Sequence, residues 1–203
     1  MSASIEVLPG LEAVRRRPAM YVGDLADPAT LVCLVVQGLC HGLDELVGGT
    51  ARQVTVTLSD ASLVTLADDG AGMSLAPQRP DGMPYAQVLM TVLRACKLAR
   101  VSTEVGEKYC DTGLAVLNAL SAWAELDIAR DGQRHVQRYE RGEPTAPFAT
   151  LGPTAAHGTT LRFRPDPSYF VNDVDAALLA ARLKAIRADV PGQVVLVDAR
   201  TAR

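Results

Sequence analysis

The chain has 203 residues, 48% of them hydrophobic and 21% charged, with a formal charge of −3. That composition fits one globular domain with an aliphatic core and excludes both a disordered chain and a strongly basic nucleic-acid-binding one. No apolar run reaches the roughly 18–20 residues of a membrane span and no signal peptide is visible, so the expectation is a cytoplasmic protein without membrane or direct nucleic-acid contacts.

Residues 11–17 predict a short helix stopped by Pro18. Residues 28–47 predict one long helix ending at Gly48-Gly49. Residues 52–58 and 62–67 alternate polar and apolar, which predicts two strands of a hairpin turning at 59–61. A turn-rich stretch runs from Asp68 to Pro84, then 85–98 has a helical pattern, and 99–110 is patternless and expected to be a mobile loop, extending to 111. A short apolar helix over 112–121 follows, then strands over 122–130, 133–140 and 159–164, a helix over 173–189 and a last strand over 194–197. The order predicts a single domain over 1–203, an α/β (α+β) two-layer sandwich with helices over a mixed, mostly antiparallel sheet. Cys33, Cys40, Cys96 and Cys110 have no CxxC spacing, so they are expected to be buried free thiols and no zinc site.

The local signal that carries chemistry is Asp68-Asp69-Gly70-Ala71-Gly72, directly after a predicted strand. A strand-end carboxylate accepts a hydrogen bond from an amine, and the glycines after it let the backbone approach a flat ligand. By itself such a run also fits an ordinary Asp-Gly turn.

Other segments share its neighbourhood. The run from Ile5 to Asp24, IEVLPGLEAVRRRPAMYVGD, resembles the opening of the DNA gyrase B subunit, as do Val88–Leu93, Val116–Ser121, Tyr139–Gly142 and the Gly158-Thr159 turn. The matches keep their order across residues 5–200, and the chain is identified by them as resembling the ATP-binding domain of the GHKL superfamily, which holds gyrase, heat-shock chaperone, histidine-kinase and mismatch-repair ATPases. The resemblance implies a Bergerat-type fold and a pocket for ATP or ADP between sheet and helices. It implies that Asp68 holds the adenine amine, Thr159 holds a bridging water, Gly72 shapes the turn, and Met73, Leu89 and Leu161 wall the base.

The same resemblance marks departures. The family's long helix carries a Glu general base and, four residues on, an Asn that ligates magnesium; here those positions hold Gln37 and His41. Glutamine takes up no proton at useful pH, and imidazole is a poor magnesium ligand, so magnesium binding is not expected. Asp44 and Glu45 on the next turn keep the family's residue types. The glycine-rich phosphate lid reads Lys108-Tyr109-Cys110-Asp111-Thr112-Gly113, with only Gly113 surviving, and Lys97 stands near the family's second lid anchor. Ala71 and Val136 replace the arginines that clamp the family's inhibitors. No transducer or DNA-gate domain is expected within the 203 residues, so strand passage is not expected of the chain by itself.

These features imply a degenerate pseudo-ATPase with its adenine side retained, binding a small-molecule ligand or acting as a scaffold. Two alternatives stand beside it: an enzyme that reuses the pocket through His41 with Asp44 or Asp111, and a working ATPase with unusual residues. The oligomeric state is open.

Overall fold

A computed structural model describes residues 10–60, 62–77, 79–95, 108–109 and 111–201. The sheet grows from alternation. In β1 (Gln53–Ser59), β2 (Leu63–Asp68), β3 (Ser121–Arg130) and β7 (Gly158–Pro165), apolar side chains recur at every second position and are buried on one face. The remaining strands are β4 (Gln133–Glu140), β5 (Glu143–Pro144), β6 (Ala149–Pro153) and β8 (Gln193–Asp198). The spatial order is β5-β4-β3-β7-β2-β1-β8, with β6 also pairing β4. The pairs are antiparallel except β1 with β8, which is parallel and needs the crossover helix that precedes β8.

Register puts one apolar row across the sheet: Leu196, Val56, Leu66, Leu161 and Leu126 are successive partners. The opposite face carries Thr57, Thr65, Arg162, Glu125 and Arg138 in an equivalent row. Among the described residues, the helices cover the apolar face. Among the described residues the helices are α1 (Glu12–Arg16), α2 (Ala19–Val22), α3 (Pro28–Gly38), α4 (Cys40–Val47), α5 (Tyr85–Thr91), α6 (Leu114–Ala119) and α7 (Ala176–Asp189). Their buried side chains, such as Leu34, Leu43, Leu117 and Leu183, join Val56, Leu126 and Phe163 in one core. The result is the two-layer sandwich of the sequence reading, helices over a mostly antiparallel mixed sheet.

Local chemistry fixes the ends. Asp27 caps α3 by accepting the Ala29 N–H at 2.8 Å, with Pro28 at the first helical position. Asp175 caps α7 by accepting the Leu178 N–H at 2.9 Å.

Several boundaries differ from the expectation. The predicted 28–47 helix is two helices, α3 and α4, meeting at Leu39 with a 48° bend. At the break Gly38 packs so closely that a Cβ there would come within 2.3 Å of Leu66 Cδ1 on the sheet and 2.9 Å of Leu117 Cδ1 on the helix Leu114–Ala119. The 85–98 helix is interrupted after Thr91, where Val92 turns extended and Arg94 takes φ 59°. Helix α2 and the short strands β5 and β6 were not anticipated; each is too short to show a period. The cysteine reading also fails. Cys33 is free but exposed, and Cys40 is buried yet disulfide-bonded. The expected loop over 99–107, with Cys96, Lys97 and Cys110, lies outside the described residues. No single helix among the described residues is long and apolar enough to cross a membrane.

Candidate functional site

The site is built where the end of β2 meets α4. Asp68 is the last residue of β2, opposite Val54, and by alternation its side chain turns to the helix-covered face. Its Oδ1 accepts the Gly70 N–H at 3.0 Å and the Thr159 N–H at 3.2 Å, and Oδ2 makes no hydrogen bond among the described residues. Burial pushes the Asp68 carboxyl above the ordinary 3.8; His41 and the two backbone N–H groups oppose that, and Glu45 adds to it.

The turn after Asp68 is stapled from three sides. Asp69 Oδ1 accepts the Arg52 and Gln53 N–H groups at 2.8 and 2.9 Å, which ties the turn to the start of β1. Glu45 Oε2, from α4, accepts the Ala71 N–H at 2.9 Å and the Thr50 hydroxyl at 2.6 Å. Thr159 Oγ1 accepts the Met73 N–H at 2.9 Å. Two glycines make the close approach possible. Gly72 has φ 79°, and a Cβ on it would sit 2.7 Å from the Ala129 carbonyl. Gly158 has φ 115°, and a Cβ there would fall 2.1 Å from the Asp68 carbonyl. Sequence reasoning found Asp68, Gly72 and Thr159, but missed Asp69, His157, whose Nδ1 lies 3.0 Å from the Gly70 carbonyl, and Arg130, whose Nη1 donates to the Gly72 carbonyl at 2.7 Å. The adjacency of Asp69 in the motif was a usable signal; the other two are brought in by the sheet alone.

A small cavity of about 20 Å³ lies beside Asp68. Val54, Leu66, Met73 and Leu161 form its apolar wall, and Gly38 and Gly42 bring the helix backbones against it. Its polar side chains are His41, Asp68 and Thr159. Of the three residues named as walls, Met73 and Leu161 line this cavity, whereas Leu89 is buried but does not. Glu45 and Gly72 act one layer out, on the turn.

His41 stands at the first turn of α4. Its Nε2 is shielded from solvent and makes no hydrogen bond, with Glu45 Oε1 4.0 Å away. Gln37 is on the other side of the break, on α3. Its Oε1 accepts the N–H of Thr112 at 3.1 Å and of Gly113 at 3.2 Å, the two amides that lead into α6. Gly113 takes φ 78° there, so the two N–H groups converge on one acceptor.

A carboxylate at a strand end, facing a helical layer with a glycine-bracketed turn folded over it, on a mixed sheet covered on one face, defines a GHKL ATPase-type domain. No family model matches the chain. It is 38% identical over 191 residues to the DNA gyrase B subunit of Thermotoga maritima, covering 93% of this chain and 30% of that protein. It is 35% identical over 188 residues to the DNA gyrase B subunit of Treponema pallidum, covering 91% of this chain and 29% of that protein. It is 38% identical over 171 residues to the DNA topoisomerase 4 B subunit of Caulobacter vibrioides, covering 83% of this chain and 24% of that protein. Over most of its length the chain is similar to these gyrase-type B subunits, and it spans less than a third of their length.

Magnesium and a phosphate chain, which the fold family implies, find poor donors among the described residues around this cavity. The Gln37 carbonyl oxygen is already held by two backbone amides, His41 offers nitrogen, and among the described residues no Lys or Arg lines the cavity.

Proposed function

We propose that this domain is a pseudo-ATPase: it keeps the adenine side of a GHKL pocket as a small-molecule-binding or scaffold module and does not hydrolyse ATP. The observation that carries the reading is Gln37. A base must be free to take a proton from water, but Gln37 is neutral and its Oε1 is committed to the Thr112 and Gly113 amides. The pocket that remains suits a planar ligand. Asp68 presents an acceptor oxygen, and Met73, Leu66 and Leu161 offer apolar surface to a ring. The test is steady-state phosphate release from ATP with magnesium. The expected rate is at background, because loss of a positioned general base alone costs on the order of 10²–10⁴-fold. Turnover above background that disappears in Asp68→Asn would restore the reading of a working ATPase.

A second reading is favoured by His41, whose Nε2 is shielded and without a hydrogen bond in the same cavity as Asp68. An imidazole in that state is equipment for acid–base chemistry on another molecule. Glu45 Oε1, on the same helix, lies 4.0 Å from that nitrogen, and Asp68 lines the same cavity; Asp44 and Asp111 are the partners named from sequence. A His41→Ala variant with unaltered biological activity excludes it.

A further inference from the structure

Building on the reading of this pocket as one that takes an amine-bearing ring, we infer that it selects against phosphate: its ligand is an uncharged, planar amino-heterocycle held by Asp68 and His41, and Gln37 seals the neighbouring amides from an anion.

Three observations converge. First, the two backbone N–H groups ahead of α6 are the donors an anion would use, and the Gln37 carbonyl already accepts both, at 3.1 and 3.2 Å. An incoming phosphate must displace that side chain before it gains either of these two backbone donors. Second, the charge around the cavity has the wrong sign. Asp68 lines it, Glu45 faces His41, and none of its described lining residues is Lys or Arg. Among the described lining residues a buried anion finds no countercharge other than a protonated His41, and desolvating it is expensive. Third, the polar groups left over suit a neutral ring. Asp68 Oδ2 has no donor among the described residues, and His41 Nε2 is shielded without a partner. A ring amine satisfies the first, and a ring nitrogen or its N–H satisfies the second, according to the imidazole tautomer. The cavity of about 20 Å³ holds about one water-sized group as it stands. Met73, unbranched and adaptable, is the wall residue that gives way to a ring.

The experiment is calorimetric titration of the full chain with adenine, adenosine and ADP, each with and without magnesium. It is repeated with Gln37→Ala, Gln37→Glu and His41→Ala, with circular dichroism to verify that each variant folds. The expected wild-type result is adenosine binding at least as tightly as ADP, with no magnesium effect. Gln37→Ala frees the two amides and shifts the ADP-to-adenosine preference toward ADP by about tenfold, the worth of one charge-assisted hydrogen bond. Gln37→Glu keeps the acceptor on both amides and gains nothing for ADP. His41→Ala weakens adenosine by about fivefold to tenfold. Wild-type protein that binds ADP tenfold or more tightly than adenosine overturns the inference, and so does binding of none of the three. Neither result touches the reading of a domain that does not hydrolyse, which rests on phosphate release alone.

Discussion

At the residue scale, Asp68 divides its two oxygens between fold and ligand. Oδ1 holds the Gly70 and Thr159 amides, and Oδ2, without a hydrogen bond among the described residues, is the oxygen that the proposed function gives to a ligand. Asp68→Asn keeps an oxygen for the two amides and puts an NH₂ where the ligand's amine must bind. Thermal denaturation is expected to show little change while calorimetry shows affinity reduced by tenfold or more, the worth of a hydrogen bond to a charged group, about 1.5–3 kcal/mol. The pH dependence follows from the same carboxyl. Burial holds it above 3.8, so the neutral form is favoured in the folded chain. Its contribution to stability therefore grows as pH falls through the raised value, whereas ligand affinity, which needs the ionised acceptor, falls in that same interval. Affinity measured between pH 4 and 8 is expected to drop at a higher pH than an exposed aspartate would give. Asn118 is a purely structural counterpart. It is fully buried, and its Nδ2 donates to the Met90 carbonyl at 2.8 Å and the Gly142 carbonyl at 3.1 Å. Asn118→Ala strands two carbonyls and is expected to lower unfolding free energy by about 1–3 kcal/mol in urea titrations.

At the element scale, the break between α3 and α4 decides what the pocket contains. A continuous helix would carry Gln37 and His41 on one face, four residues apart. The 48° bend at Leu39 instead sends Gln37 to the α6 amides and leaves His41 with Asp68. Gly38→Ala forces a methyl into Leu66 and Leu117, and is expected to cost about 1–3 kcal/mol of stability and to perturb ligand binding with it, read by denaturation and calorimetry together. A second device anchors the chain ahead of α6. Asp189 closes α7, where a carboxylate opposes the helix dipole, and it accepts from both Lys108 Nζ and the Tyr109 hydroxyl, while Arg182 lies over the Tyr109 ring at 5.9 Å. Lys108 and Tyr109 are thereby fastened to α7 rather than to the pocket. Asp189→Ala is expected to speed amide exchange around 108–113 without moving the global unfolding midpoint, as hydrogen exchange would report.

At the scale of the whole molecule, one face of the sheet is core and the other is an ion-pair ladder. Asp127 binds Arg134 through both oxygens, at 2.9 and 2.5 Å, and Arg162 bridges it to Glu125. The Arg134 hydrogen bonds hold the Asp127 carboxyl below 3.8 against the opposing effect of burial, with Arg162 assisting. Its contribution to stability is present above the unfolded value of about 3.9 and is lost as pH falls through the depressed folded value. Asp127→Asn is expected to flatten the acid limb of the stability curve below pH 4 and to change the neutral plateau by about 1 kcal/mol, because the arginines are partly exposed. The other half of that open face is Thr55, Thr57 and Thr65, side chains that suit a pleated surface and carry no charge to pair.

The alternation of Val54, Val56 and Leu58, and of Val64 and Leu66, is enough to set which face of the hairpin is buried, because a slip of one residue would turn all of them to the other face. The carboxylate of Asp68 and the glycines after it were legible for the same local reason: a strand end and a tight turn write their needs within five residues. What Gln37 touches was not legible, since its partners Thr112 and Gly113 are 75 and 76 residues away and meet it only through tertiary packing. The unpartnered Nε2 of His41 and the small cavity beside it were likewise decided by tertiary packing. Sequence spacing fixes which residues share an element; which polar groups find partners, and which are left for a ligand, depends on how closely two elements approach.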